Sequence, residues 1–271
     1  MNKHATTWRL INTGPQSGPL NMAIDEALLR GFDPAASLPV LRLYGWMPAA
    51  LSLGRFQKEE TLDIERCRME NVPVVRRITG GGAIYHAEEL TYSIVCSTDQ
   101  IPPASSVKDS FRVLTGFLLS FYRKLGLDAC YAMDAADLEK RLGKRTAYCF
   151  AGRESFDILI DGCKIGGNAQ RREKGVIFQH GSIPLVNRAA IGLTYLIGSL
   201  PEHAHGVTSL VDCGVTSGDE ELQHILAAAF KDHFNVECRA EVLSAQEQFL
   251  AENLVANKYT KDSWNMEGEG S

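Results

Sequence analysis

The 271-residue sequence lacks any apolar run approaching the roughly 20 residues that span a bilayer. Its first residues, MNKHATTWRLINTG, also lack an apolar core of the length found in signal peptides. We therefore expect no membrane association and a cytoplasmic location.

Cysteine motifs are missing as well. The seven cysteines are odd in number and scattered, and they contain no Cys-x-x-Cys, so neither a disulfide framework nor a zinc ribbon is indicated. We expect reduced thiols, most of them small core residues. His203 and His205 form an isolated His-x-His without cysteine or carboxylate partners, and we interpret them as surface residues rather than metal ligands. No metal site is predicted.

Positive charge is scarce. The net charge is -5 at pH 7 and the isoelectric point is about 5.8. The arginine pairs at 76–77 and 171–172 are too few to form the basic surface that nucleic acid requires. Nucleic-acid binding is therefore not expected.

Linkers, repeats and low-complexity tracts are also absent, and 45% of the residues are apolar. A chain of this size can bury a substantial core. We predict a single catalytic domain over residues 1–271, of which residues 187–271 form a largely helical C-terminal part. The order of elements indicates an α+β fold with mixed or antiparallel sheets flanked by helices.

Hydrophobic periodicity predicts the individual elements. Strands are expected at 8–12, 40–46, 50–54, 73–79, 89–97, 156–161, 164–170 and 175–185. Helices are expected at 20–31, 59–71, 107–125, 187–199, 219–234 and 244–259, with a short strand between the last two. We expect 40–46 and 50–54 to form a strand pair joined through Pro48. The last three listed strands are expected to be consecutive and antiparallel, with Asp161-Gly162 as the first hairpin turn.

The stretch RRITGGGAIYH (76–86) contains three consecutive glycines. It fits neither the Gly-x-Gly-x-x-Gly dinucleotide fingerprint nor the P-loop pattern, and the next element is a predicted strand rather than a helix. A hairpin turn needs at most two glycines. The run therefore indicates either a tight turn or a bare backbone that a ligand approaches closely. Both interpretations stay open.

Two other positions also leave alternatives open. Cys149, in AYCFAGRES, is either a small structural thiol or a nucleophile. Lys164 lies beyond a hairpin that could bring its ammonium near that thiol, and a neighbouring cation favours the thiolate. The Gly166-Gly167 pair beside it again suggests a close ligand. His180, within an apolar strand, is either a hydrogen-bonded core histidine or a functional one.

Several separated stretches carry a resemblance to one family. These are GPLNMAIDEALL, LRLYGWMPAALSLGRFQ, VVRRITGGGAIYHAEELTYS, CFAGRESFDILIDGCKIGGNAQRR, GVIFQHGSIPL and KYTKDSWN. In order and spacing they resemble the lipoate-protein ligase and octanoyltransferase family over nearly the whole chain. The sequence is most similar to the cysteine-dependent octanoyltransferases.

The resemblance implies a biotinyl/lipoyl protein ligase-like fold and a slot for an acyl chain. It implies Cys149 as the nucleophile and Lys164 as its catalytic partner. The implied substrate-binding residues are Arg77, Thr79, Gly80, Gly81, Gly82, Ala83, His86, Gly167, Asn168, His180 and Gly181. The implied reaction moves octanoyl from octanoyl-acyl carrier protein to the acceptor lysine of a lipoyl-domain protein such as glycine cleavage H protein. It passes through a Cys149 thioester and needs no cofactor.

Some residues depart from the transferase pattern. Gly82 and Ala87 stand where that subgroup often has arginine and aspartate, and GRFQ at 54–57 resembles ATP-using lipoate ligases. A ligase would work through lipoyl-adenylate with ATP and magnesium. The cysteine at position 149 and the lack of length for an accessory domain favour the transferase. A cysteine-dependent amidotransferase and a non-catalytic acyl-binding module are the remaining alternatives.

Overall fold

The computed structural model describes residues 6–102, 106–135, 154–199, 204 and 206–269. Its strands are β1 (Thr7–Gln16), β2 (Val40–Trp46), β3 (Ala50–Leu53), β4 (Val74–Arg76), β5 (Ile84–His86), β6 (Glu89–Ser97), β7 (Ala129–Tyr131), β8 (Ile158–Ile160), β9 (Cys163–Lys164), β10 (Gly167–Glu173), β11 (Val176–Pro184) and β12 (Glu237–Glu241). Its α-helices are α1 (Gly18–Arg30), α2 (Ile64–Met69), α3 (Val107–Lys124), α4 (Ala189–Leu193), α5 (Asp219–Phe234), α6 (Ala245–Leu254) and α7 (Asp262–Asn265).

A six-stranded mixed sheet forms the centre of the fold, in the order β10-β11-β6-β2-β1-β12. Strand β1 runs parallel to both its neighbours, whereas β2, β6, β11 and β10 are successively antiparallel. Two three-stranded sheets, β4-β3-β5 and β7-β8-β9, accompany it. The predicted α+β class with mixed and antiparallel sheets is therefore confirmed.

Helices cover both faces of the central sheet. On one face, α3 and α5 pack against Leu41 and Tyr92, and on the other α1 and α6 pack against Val40 and Phe178. Successive side chains of a strand point to opposite faces, and helices cover each face, so both faces of the inner strands are buried. The face under α1 also carries polar side chains, including Arg42. No helix in the described part of the chain is long and apolar enough to cross a membrane.

Local patterns with one dominant period predicted their elements well. Helix α3 begins where the side chain of Ser106 accepts a hydrogen bond from the Asp109 backbone, and it ends within one residue of its predicted end. Strand β6 occupies the predicted residues, 89–97. Asp161 and Gly162 both adopt positive φ, as a two-residue hairpin turn between β8 and β9 requires.

Predicted strand partners were wrong in two places. Strands β2 and β3 do not pair, because β2 lies between β1 and β6 while β3 lies in the small sheet with β4 and β5. The predicted strand 164–170 is divided between two sheets at Gly166, which has a φ of +81°. A Cβ at Gly166 would lie 2.0 Å from the Ser182 carbonyl oxygen, so only glycine allows this close crossing.

Several predicted elements are shorter in the structure. The predicted strand 73–79 ends at Arg76, and the predicted helix 187–199 is helical only over Ala189–Leu193. The predicted helix 59–71 is a 3-10 turn, Glu59–Thr61, followed by α2. Helix α6 gives way to a π-helical turn over Val255–Tyr259.

The C-terminal stretch KYTKDSWN connects elements that frame the polar face under α1. Lys258 and Tyr259 both bind the buried carboxylate of Glu26 in α1, at 2.8 and 2.5 Å. The guanidinium of Arg76, at the end of β4, donates to the carbonyls of Trp264 and Met266 at 3.0 and 2.5 Å. It also donates to the carbonyls of Gly54 and Gln57. One buried arginine therefore holds the C-terminal segment against β4.

We expect Arg76→Ala to lower the free energy of unfolding by about 3 kcal/mol, because several buried carbonyls lose their donor. Arg76→Lys should recover part of this loss. The matched control is Arg68→Ala, which removes an ion pair with Glu65 from a side chain that is 67% exposed, and it should cost less than about 1 kcal/mol. Urea titration monitored by tryptophan fluorescence measures all three variants, and equal losses for Arg76→Ala and Arg68→Ala would contradict this role.

Candidate acyl-binding site

A cavity lies on the α1 face of the central sheet, beside the small sheet β4-β3-β5, and its empty space, including its opening to solvent, is about 410 Å³. Its walls include the glycine loop (residues 77–83, between β4 and β5), residues 167–169 at the start of β10 and residues 180–182 of β11. Apolar and aromatic groups are supplied by Met22, Tyr44, Trp46 and Ile84. The tertiary structure therefore brings together motifs that are about 90 residues apart in the chain.

Most of the sequence-predicted substrate-binding residues line this cavity. They are Arg77, Gly80, Gly81, His86, Gly167, Asn168, His180 and Gly181. Thr79 lies behind them and contacts His180. The carbonyl of Gly82 accepts a hydrogen bond from Arg77, and Ala83 packs in a hydrophobic cluster with Leu53. Cys149 falls outside the described residues.

Arg77 organises the glycine loop. Its Nη2 donates to the carbonyl oxygens of Gly80 and Gly82 at 2.8 and 2.7 Å, and its Nη1 donates to the Ser52 carbonyl at 3.0 Å. The loop therefore wraps around a buried guanidinium. Gly81 has a φ of +98°, and a Cβ there would lie 2.8 Å from Arg77 Nη2, so the backbone conformation and the packing both require glycine.

The glycines in and near the loop are required for different steric reasons. A Cβ at Gly54, which precedes the loop in the chain, would lie 1.9 Å from the Gly81 carbonyl oxygen. A Cβ at Gly80 would meet no heavy atom of the described residues within 4 Å beyond its chain neighbours. Because Gly80 lines the cavity, its missing side chain leaves open space rather than relieving a contact within the protein.

A buried hydrogen-bond network holds His86 at the cavity wall. Its Nδ1 lies 2.8 Å from Glu89 Oε1 and its Nε2 lies 2.7 Å from Ser52 Oγ, while its ring stacks on Trp46 at a centroid distance of 3.8 Å. Burial would raise the pKa of Glu89, but His86 and two hydroxyl donors outweigh it and hold that pKa below its usual value. The carboxylate therefore stays charged and fixes the imidazole.

Asp25, in the middle of α1, forms the centre of a second network. Its carboxylate accepts hydrogen bonds from Arg42 Nη1 at 2.7 Å, Tyr44 Oη at 2.9 Å and Ser93 Oγ at 2.7 Å. Burial works to raise the pKa of Asp25, but the Arg42 guanidinium and the other partners lower it overall. A charged carboxylate is thus held beneath the cavity floor.

His180 connects this network to the cavity. Its Nδ1 is 3.7 Å from Asp25 Oδ2 and its Nε2 is 2.7 Å from Thr79 Oγ1. Burial lowers the pKa of His180 below 6.5, so the imidazole is neutral at pH 7. The carboxylate favours the proton on Nδ1, which leaves Nε2 to accept the Thr79 hydroxyl. The cavity wall therefore contains a neutral imidazole whose two ring nitrogens face Asp25 and Thr79.

Lys164 is buried and paired. Its Nζ lies 2.7 Å from Asp157 Oδ2, and both side chains are less than 10% exposed. The lysine ends β9, three residues before the cavity-lining Gly167. An ammonium in such a site is a fixed positive charge whose effect is strengthened by the low dielectric constant around it.

The six described cysteines are free thiols. Burial raises the pKa of Cys96 to about 12, which keeps this thiol protonated and unreactive at neutral pH. Among the described residues there is no group of three or more histidine, cysteine or acidic side chains placed to hold a metal ion.

Sequence patterns did not single out Asp25, Glu89 and Asp157, three of the buried carboxylates of this region. Asp25 and Glu26 interrupt an otherwise apolar helix in LNMAIDEALL. Because charged side chains are almost never fully buried without a partner, carboxylates on the apolar face of a helix were an available signal. Glu89 and Asp157 stand at strand ends, where an acidic residue is ordinary, and no local signal marks them.

Known proteins resemble this chain over most of its length. Residues 17–239 match the model of the lipoyl protein ligase A/B catalytic domain. The chain is 34% identical to the octanoyltransferase LipM of Bacillus subtilis (strain 168), covering 96% of this chain and 98% of that protein.

Solved structures show the same likeness. A crystal structure of lipoate-protein ligase A bound with ATP matches with a TM-score of 0.80 at 26% identity, covering 96% of this chain and 98% of that chain. The T. acidophilum protein Ta0514, with bound lipoic acid, matches with a TM-score of 0.79 at 25% identity, covering 96% of this chain and 99% of that chain.

The fold is the one that the lipoate-protein ligase structures share. The chain belongs to the lipoyl protein ligase A/B catalytic domain family. The family resemblance of its motifs is thereby confirmed, and so is the predicted enzyme class, an acyltransferase.

The pKa of His180 makes stability depend on pH. The unfolded chain binds a proton at this histidine below its usual pKa of 6.5, whereas the folded chain does not until a lower pH. We therefore expect the free energy of unfolding to fall between pH 7 and pH 5, by up to about 1.4 kcal/mol per pH unit from this group. Chemical denaturation at several pH values measures the slope.

We expect the slope to become shallower in His180→Asn, which cannot titrate in this range. The control is His224→Asn, which replaces an exposed histidine on α5 and should retain the wild-type slope. An unchanged slope in His180→Asn would show that other groups carry the pH dependence.

Proposed function

We propose that this chain is an octanoyltransferase of lipoate biosynthesis, acting as a single catalytic domain over residues 1–271. In this proposal it takes the octanoyl group from octanoyl-acyl carrier protein and attaches it to the acceptor lysine of a lipoyl-domain protein, such as glycine cleavage H protein. The reaction would be the first step of lipoate cofactor assembly and would need no cofactor. The likeness to the octanoyltransferase LipM over nearly the full length of both chains supports it.

One structural observation carries the proposal. Gly80 presents bare backbone to a cavity that also contains Met22, Trp46 and Ile84. An octanoyl chain needs an apolar passage without polar partners along its length. Burying about six methylenes at ~0.8 kcal/mol each gives roughly 5 kcal/mol, which is enough to select a medium-length chain.

The proposed reaction has two steps. First, the thiolate of Cys149 attacks the carbonyl carbon of the donor thioester, the carbon–sulfur bond to the carrier breaks, and the carrier thiol leaves with the proton that Cys149 gave up. Second, the neutral amine of the acceptor lysine attacks the new thioester. A carbon–nitrogen bond forms, the bond to Cys149 breaks, and the proton released by the amine restores the thiol.

The described residues support both steps. Lys164, held by Asp157 at 2.7 Å, is a buried cation that would stabilise the Cys149 thiolate and the developing oxyanion. The neutral imidazole of His180, backed by Asp25, would accept the proton of the attacking amine through the Thr79 hydroxyl, which would take up that proton as it passes its own to Nε2. The apolar walls would exclude the water that hydrolyses a thioester.

The ATP-dependent ligase remains the second candidate, because the lipoate-protein ligase A whose structure contains ATP is 26% identical in sequence to this chain. That reaction would use ATP with magnesium to form lipoyl-adenylate from free lipoate. The two functions differ in their acyl donor and in their need for Cys149, so one set of assays separates them.

Intact-mass measurement after mixing with octanoyl-acyl carrier protein tests the transferase. We expect an octanoyl adduct on the wild type, no adduct on Cys149→Ser, and transfer to a lipoyl domain without ATP. Lys164→Ala should slow adduct formation by at least tenfold, whereas Lys124→Ala, at an exposed ion pair with Asp232, should not. Absence of an adduct, combined with ATP-dependent attachment of free lipoate, would establish the ligase instead.

Chain length tests the role of Gly80. We expect Gly80→Val to fill the open side of the slot and to shift the preference from octanoyl toward shorter acyl groups. The ratio of kcat/KM for octanoyl over butanoyl donors should fall at least tenfold. The control is Gly218→Val, since a Cβ at Gly218 also meets open space but precedes α5, away from the cavity. An unchanged ratio in Gly80→Val would remove this glycine from the slot.

A further inference from the structure

A second and larger cleft lies beside the acyl cavity, and its empty space, including its opening to solvent, is about 1440 Å³. Three elements line both spaces. Helix α1 contributes Met22 to the cavity and, one turn later, Glu26 to the cleft. The glycine loop contributes Gly80 to the cavity and Ile78 to the cleft. The cleft therefore adjoins the acyl cavity.

Strand β10 shows the same arrangement and fixes it with a direct contact. Ala169 lines the cavity, and two residues later Arg171 lines the cleft. Arg171 Nη1 donates to the Ile78 carbonyl at 3.2 Å. One hydrogen bond therefore ties the cleft wall to the glycine loop.

The cleft is positively charged in a protein whose net charge is -5. Five cationic side chains line it, namely Arg30, Arg55, Arg171, Lys174 and Lys258. The carboxylates among its lining residues are Glu26 and Glu173.

These carboxylates do not balance the cations. Glu26 is already shared by Arg30 and Lys258 at 2.5 and 2.8 Å, and Glu173 is paired with Arg171 at 3.2 Å. Neither Arg55 nor Lys174 forms an ion pair with a described residue. The concentration of positive charge is therefore a local exception on an acidic protein, and it attracts anions specifically to this place.

The cleft also has aromatic contact groups. The guanidinium of Arg55 lies 4.6 Å from the Trp264 ring centroid, which holds it in place. The neighbouring side chain of Phe56 is 86% exposed. Arginine and exposed aromatic residues are the types that contribute most to protein–protein binding.

We propose that this cleft docks the acyl donor, a carrier protein with an acidic surface whose thioester arm contains a phosphodiester. This inference rests on the proposed function. Arginine forks match phosphate and carboxylate groups. A carrier seated on the cleft would lie beside the slot that receives its acyl chain. The acceptor protein would then approach from elsewhere or after the carrier has left.

The test compares two donors with the same thioester. One is octanoyl-carrier protein, and the other is octanoyl-pantetheine, which has neither the phosphodiester nor the protein. The double variant Arg30→Gln with Lys174→Asn removes two exposed charges of the cleft. Asparagine tolerates the φ of +47° at position 174. The control, Arg123→Gln with Lys124→Gln, removes two exposed charges from α3, on the other face of the sheet.

We expect the double variant to raise the KM for octanoyl-carrier protein at least tenfold at low salt. The preference for the carrier over the pantetheine donor should fall by a similar factor. Added salt should raise the KM for the carrier in the wild type and in the control more steeply than in the double variant. Phe56→Ala should raise the carrier KM as well.

Three outcomes would overturn the docking site. The first is a KM for octanoyl-carrier protein that the double variant leaves unchanged. The second is an equal loss of activity with both donors. The third is that ATP competes with the carrier in the wild type but not in the double variant, which would make the cleft a nucleotide site. A wild type that transfers octanoyl from neither donor would refute the proposed function itself, so the two failures are distinguishable.

Discussion

The glycine loop depends on one buried guanidinium. Arg77 binds the carbonyls of Gly80 and Gly82 and the carbonyl of Ser52, so the loop, strand β3 and the cavity wall are positioned by one group. A loop of glycines has little intrinsic order, since each residue has wide conformational freedom to lose on folding. Charge-assisted hydrogen bonds in a buried site compensate for that loss and fix the loop at the cavity wall.

The polar residues beneath the cavity form two networks that meet on the α1 face of the central sheet. Each network is built on a buried pair, Asp25 with Arg42 in one and Glu89 with His86 in the other, and hydroxyl groups donate hydrogen bonds to both carboxylates. Such pairs contribute little net stability, because desolvation opposes their attraction. What they provide here is orientation, since each network ends on an imidazole at the cavity wall. The apolar lining and the polar floor are thus complementary parts of one site.

Local sequence predicts the structure best where a single local cause determines it. The periodicity and the N-terminal cap of α3, the alternation of β6 and the Asp161-Gly162 turn are each contained within a few residues. It failed for β2 and β3, because the separation of these strands into different sheets depends on partners far away in the chain. The crossing of Gly166 over the Ser182 carbonyl is likewise invisible locally. For the site, the glycine motifs predicted which backbone segments line the cavity, but the carboxylates behind them were missed.

The sequence by itself determined the family, the enzyme class and most of the residues that line the cavity, because side-chain types at fixed spacing are enough to identify a motif. Only the tertiary structure decided why the glycines differ: Gly54 and Gly81 are required by neighbouring atoms of the protein, whereas Gly80 borders open space. It also decided that Asp25 lies beneath His180 and that a cationic cleft adjoins the cavity. These facts depend on distances between segments that are remote in sequence, and such distances arise only when the sheets and helices pack together.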